Sequence, residues 1–125
     1  MDLKSSLYGV DLTDSFVLDW RYQGDSLIFD LEASLWPENV AYETPKPNEY
    51  TCYKKARLVF AGVRKISGLK QKEDIVPTKD QDGSVDYGCI DSYHHREPTT
   101  HILCGNFGRV ELVCTSTLFE VISTK

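Results

Sequence analysis

The chain contains no apolar run approaching the roughly 20 residues that a membrane helix needs, so no membrane contact is expected. Its opening stretch, MDLKSSLYGVDLTDS, has one lysine and no continuous apolar segment. That excludes a secretory signal and points to the cytoplasm. The G-x-S-x-G, P-loop, G-x-G-x-x-G and H-E-x-x-H patterns are missing, and with them the common signatures of hydrolase, nucleotide and zinc-protease chemistry. A sustained 3.6-residue apolar period is missing too, so no long helix is expected. Internal repeats and low-complexity segments are likewise not found.

What remains is an ordinary globular composition. Its 125 residues, 41% hydrophobic and 26% charged, suffice for one domain spanning 1–125 and leave no length for a second core. The net charge of −5 is unevenly spread. Residues 1–50 carry ten acidic and three basic side chains, residues 51–75 carry two and seven, and residues 76–125 carry seven and four. The acidic first half disfavours nucleic acid and suits a basic partner. The basic block YKKARLVFAGVRKISGLKQK lacks the interleaved exposed aromatics of a nucleic-acid platform and reads as a solvated lysine face.

The positive signal is period 2. In SFVLDWRYQGDSLIFDLEASLW one register holds Phe16, Leu18, Trp20, Tyr22, Leu27, Phe29, Leu31, Ala33 and Leu35, with mostly polar residues between. This predicts two half-buried strands turning at Gly24–Asp25. Pairing Gln23 with Ser26 sets Trp20 opposite Phe29 and Leu18 opposite Leu31 on the buried face. On the other face it opposes Asp19 and Asp30, a like-charge pair that is destabilising unless something relieves it. Arg21, diagonal to Asp30, could screen the pair, or the two carboxylates could meet a cation or a basic side chain of a partner.

PENVAYETPKPNEY, with Pro37, Pro45 and Pro47, reads as a long surface loop. TCYKKARLVFAGV follows as an inner strand with Ala56, Leu58 and Phe60 on one side. RKISGLKQKEDIVPTKDQDG is expected to be a loop holding one short strand or one helical turn. The tail carries further short strands, with a hairpin turn at GNFGR where Gly108 can adopt a left-handed conformation. About eight short strands predict an all-β, single-domain antiparallel β-sandwich or partly open barrel.

Cys89, His94, His95, His101 and Cys104 crowd one stretch of sequence. On strands, Cys89 and His94 would lie roughly 16 Å apart, and zinc needs three or four ligands within about 2.0–2.3 Å of one point. The adjacent His94 and His95 should face opposite ways. No metal or other cofactor is therefore expected, although a small-ligand or metal site using His94, His95 and His101 remains the rival reading. The four cysteines, Cys52, Cys89, Cys104 and Cys114, are expected to be reduced thiols, with Cys104 packed in an apolar strand. A Cys–His nucleophile would need an orienting group and an oxyanion donor that the sequence does not supply, so catalysis is not expected.

In order, DSFVLDWRYQGDSLIFDLEASL, ARLVFAGVRKISGL and ILCGNFGRVELVCTSTLFEVI resemble segments of small bacterial proteins of unknown function, including immunity proteins of polymorphic-toxin systems. The likeness spans roughly residues 14–123 and rests on hydrophobic pattern and a few glycines. It implies a β-sandwich that binds another protein, such as a toxin, and transfers no functional residue. The candidate contact surface combines Asp19, Asp30 and Glu32 with Trp36, Tyr42 and Tyr50. Acidic groups would steer a basic partner and the aromatics would form the desolvated centre. A structural or oligomeric role through an edge strand is the third reading, and the oligomeric state stays open.

Overall fold

In the computed structural model, residues 7–47, 49, 51–81 and 83–122 are described below. Tyr50 lies outside them. The strands are β1 (Val10–Gln23), β2 (Ser26–Leu35), β3 (Cys52–Ala61), β4 (Lys65–Leu69), β5 (Thr78–Lys79), β6 (Val85–Asp86), β7 (Ile90–Arg96), β8 (Thr100–Gly105), β9 (Gly108–Val113) and β10 (Ser116–Val121). The one helical piece among the described residues is a 3-10 turn, Lys72–Asp74. The all-β expectation holds. The count exceeds eight because the segment after β3 supplies β4 and β5 as well as the turn, and because Val85–Asp86 stands apart from β7.

Two antiparallel four-stranded sheets form the body, ordered β1-β2-β3-β10 and β4-β9-β8-β7, and β5-β6 makes a small separate ladder. No sheet closes into a barrel. The two large sheets nevertheless share their chain along one side. β3 leads into β4 and β9 into β10, so the ladder from Ala56↔Val121 to Ala61↔Ser116 resumes from Lys65↔Val113 to Leu69↔Gly108. Arg64 N–H donates to Val113 O at 2.7 Å and Thr115 N–H to Ala61 O at 3.1 Å across the bend. Strands that switch sheets at a bend are how a sandwich makes a corner.

On the opposite side β1 meets the residue just before β7 through one isolated bridge, Phe16↔Cys89. Val17 N–H also donates to Gly88 O and Tyr87 N–H to Val17 O, both at 2.8 Å.

The first hairpin has the expected turn and the Trp20↔Phe29 and Asp19↔Asp30 pairs. Farther from the turn β1 departs from simple alternation. An irregularity between Val17 and Asp19 pairs Val17, not Leu18, with Leu31, and a second lies between Asp11 and Phe16. Val17 is therefore fully buried while Phe16 and Leu18 are half-buried, correcting the expected inward face. A bulge inserts a residue and so flips the alternation beyond it. Tyr22, also expected inward, is 45% exposed beside the turn.

Aromatic rings run through the core in a chain. Tyr87 packs edge-on to Trp20, Trp20 to Phe107, Phe107 to Phe29 and Phe29 to Phe60, with centroids 4.9–6.4 Å apart. Phe60 then meets His101 at 5.1 Å. Burying each Phe ring stabilises the fold by about 1.5–3 kcal/mol, and edge-on pairs add about 0.5–1.5 kcal/mol. Phe107 belongs to the GNFGR turn, yet it is fully buried because the turn folds back over the sandwich.

Candidate binding surface

Asp19, Asp30 and Glu32 come together on the outer side of the first sheet. Asp19 and Asp30 are not free acidic groups. Arg21 Nη1 lies 2.8 Å from Asp30 and 3.7 Å from Asp19, and Arg57 Nε lies 3.0 Å from the other Asp30 oxygen. Lys72, carried over β1 by the 3-10 turn, bonds Asp19. Burial alone would push the Asp30 carboxyl up, but the hydrogen bonds and charges of Arg21 and Arg57 outweigh it and hold the pKa below its ordinary value. Three cations thus resolve the like-charge opposition, and two of them come from elements outside the hairpin.

Glu32 differs. Burial pushes its pKa up; Lys55 beside it works the other way, while Glu49, Asp86 and Asp80 add to the rise. It stands between Lys55 on β3 and Phe16 on β1, next to the β1–β7 seam.

Trp36 lies just past the end of β2, and Pro37 after it cannot extend the ladder. Trp36 N–H donates to Gly9 O at 2.8 Å. The Trp36–Asn39 turn then closes on Gly9 (φ +73), where an added Cβ would lie 2.7 Å from Asn39 N. Asn39 Nδ2 donates to Tyr8 O at 2.7 Å. This clamp holds a recess of about 560 Å³ lined by Tyr8, Gly9, Trp36, Pro37 and Glu38. Trp36 is 48% exposed, Tyr8 62%, and Val40 stands fully in solvent. An exposed Trp beside Tyr8 and Pro37 has the composition of a protein-contact surface.

Tyr42, the other aromatic described from the proline loop, is partly buried against the core, so it serves mainly as cover. The expected acidic and aromatic residues therefore fall into two groups, the charge network on the outer sheet and the recess at the end of the sandwich. Tyr8 is the contributor that alternation did not reveal. It lies before the first strand and comes to the recess only through the clamp on Gly9 and Asn39.

The histidines separate as the strand geometry requires. His95 pairs with His101 across β7 and β8, while His94 pairs with Ile102. The His95 and His101 rings stack 4.6 Å apart at an interplanar angle of 3°. His101 is only 2% exposed. Its Nδ1 shares a hydrogen bond of 2.8 Å with Tyr93 Oη. Burial, aided by the neighbouring His95, lowers the His101 pKa to about 4, and burial raises that of Tyr93. The cluster at neutral pH is an uncharged imidazole against a protonated phenol, which suits packing. Among the described residues no three His, Cys, Asp or Glu side chains are placed to hold a metal ion.

All four cysteines are free thiols. Cys104 is half-exposed opposite Arg109 on β9, not enclosed in the core as expected, because it alternates with the inward Leu103. Cys89 is half-buried, and its pKa is raised by burial and by Asp14, Asp86 and Asp91, which disfavours a nucleophilic thiolate. No helix among the described residues is long and apolar enough to cross a membrane. Compared with models of protein families, with curated proteins and with solved structures, the chain matches none.

Proposed function

We propose that the chain is a protein-binding domain whose contact surface is centred on Trp36 and whose partner presents a basic rim around an apolar segment. The observation that carries this reading is the exposed Trp36 in a recess shared with Tyr8, Pro37 and Glu38. Aromatic residues in a partly preformed recess are the side chains that most often dominate interface energetics. The acidic contribution is assigned to Glu38 and to the surplus over the first half of the chain, because Asp19 and Asp30 are met internally by Arg21, Arg57 and Lys72. The narrower form, an immunity protein whose partner is a toxin, is supported by the resemblance of the three strand-rich segments to such proteins.

The test is affinity capture from the native host with the unaltered chain, Trp36→Ser and Trp36→Phe, each checked for unchanged thermal unfolding. A specific partner retained by the first and third and lost by Trp36→Ser supports the reading. A partner that binds Trp36→Ser equally well overturns it. For the immunity form, that partner should be toxic when expressed alone and tolerated when co-expressed with this chain.

A further inference from the structure

The two large sheets have four edge strands: β1, β10, β4 and β7. Three carry devices that block pairing with another chain. β1 has two register irregularities, takes the Tyr87–Cys89 segment along part of its edge, and is crossed by the 3-10 turn, with Trp20 Nε1 donating to Lys70 O at 3.0 Å. β4 is broken by an irregularity between Ser67 and Leu69 and begins with an exposed lysine, Lys65. β7 has an irregularity between Ile90 and Ser92 and ends in exposed His94, His95 and Arg96. Bulges and charges of this kind are how soluble proteins keep sheet edges from adding strands.

β10 lacks their bulges and basic residues. Its pairs with β3 run without a shift from Ser116↔Ala61 to Val121↔Ala56. STLFEV contains no proline and no basic residue, and Glu120 is its single charge. Ile122 N–H donates to Lys55 O at 2.7 Å. In an antiparallel ladder this assigns the even-numbered residues to bonding with β3 and turns the backbone N–H and C=O of Thr117 and Phe119 outward. Leu118, 48% exposed, ends an outer-face row running Ile28, Val59, Leu118.

We infer that β10 is a self-association edge whose occupant is β10 of a second copy of this chain, joined antiparallel about a two-fold axis at Leu118. The strand is self-complementary in this register, as pairing with a copy requires. This register places each Glu120 opposite Ser116, whereas centring on Glu120 would oppose two carboxylates. It also opposes the two Leu118 side chains, so the apolar row continues from one sheet into the next. The backbone groups of Thr117 and Phe119 then bond those of Phe119 and Thr117 in the second copy. A two-fold contact in which one patch meets itself is the commonest form of protein self-association. This surface is separate from the Trp36 recess and does not depend on the function proposed for it.

The test combines light scattering with cysteine cross-linking, using the whole chain. The unaltered protein should be a concentration-dependent dimer, and Leu118→Lys should be a folded monomer with an unchanged circular dichroism spectrum. Under mild oxidation Leu118→Cys should give a covalent dimer above the background of the parent protein, because residues opposed on one face lie about 4.5–5.5 Å apart at Cβ. Glu120→Cys should not, since the two copies of that position are far apart in this register. A parent protein that stays monomeric at high concentration overturns the inference, as does a dimer that survives Leu118→Lys or cross-links through position 120 in preference to 118.

Discussion

Along β3/β4 and β9/β10 the two sheets are joined by continuous chain, whereas along β1 and β7 they meet through one bridge and the Val17, Gly88 and Tyr87 hydrogen bonds. The first junction is a ladder that bends. The second is a strand aimed by its bulges at a neighbouring loop. The bulges turn Val17 into the core, and farther along the same strand Asp19 and Arg21 enter the outer charge network. Continuity holds one side of the sandwich, and packing around an irregular strand holds the other.

The sharpest way to break this comparison is a pair of matched glycine substitutions. Gly68 (φ +88) stands on the continuous side, where an added Cβ would lie 1.9 Å from the backbone oxygen of Arg109. Gly88 (φ +86) stands on the seam, where the Cβ would meet only the Asn106 side chain, at 2.8 Å. Gly68→Ala should cost about 3–5 kcal/mol, since the backbone must move, and Gly88→Ala about 1–2 kcal/mol. Urea unfolding of both variants checks this, and equal losses would mean that the two junctions are equally rigid.

Acid should act on His101 and Glu32 with opposite sign. His101 lies on β8 with its pKa lowered to about 4, so its contribution is complete above its ordinary value of 6.5 and is lost as pH falls from there toward 4. The loss should reach about 3 kcal/mol, because a tenfold change in proton affinity is worth about 1.36 kcal/mol. Glu32 beside the seam has a raised pKa, so its contribution is complete below 4.5 and is lost as pH rises through the folded value. Unfolding measured from pH 7 to pH 4 should therefore show a net fall, and that fall should largely vanish in His101→Phe. A variant that still loses the same stability would show that His101 is not the group responsible.

The smallest effect belongs to the charge network. Arg21→Ala leaves Asp30 with Arg57 and Asp19 with Lys72, so its cost should be about 0.5–1 kcal/mol at these partly exposed positions. Removing Asp19 in the Arg21→Ala background should recover little. A larger recovery would mean that the carboxylates still repel each other.

Much of this arrangement was legible along the chain where neighbours in sequence are neighbours in space. Alternation and the Gly24–Asp25 turn sufficed for the Trp20↔Phe29 and Asp19↔Asp30 pairs, and the prolines for the loop after Trp36. The irregularity at Leu18 was not legible, because an apolar residue on either face satisfies the pattern. Phe107 was hidden by its place in a glycine turn, and the burial of His101 depends on Phe60, some forty positions earlier. Arg57 and Lys72 reach Asp30 and Asp19 only through the completed sheet and the turn that crosses it. The candidate surface was legible in part. Trp36 could be picked out by its position before Pro37, whereas Tyr8 required the clamp between Gly9 and Asn39.

The bent ladder also constrains the order of events as the chain folds. The hairpins β1–β2 and β8–β9 connect near neighbours and can form early, but the ladder must bring residue 56 to residue 121 and residue 69 to residue 108. Closing such long loops spends chain entropy before many contacts return it, so the rate-limiting barrier is expected at this zipping step. Until it is crossed, β3 and β10 both remain without the neighbour that completes them, and newly made chains are then most exposed to joining one another.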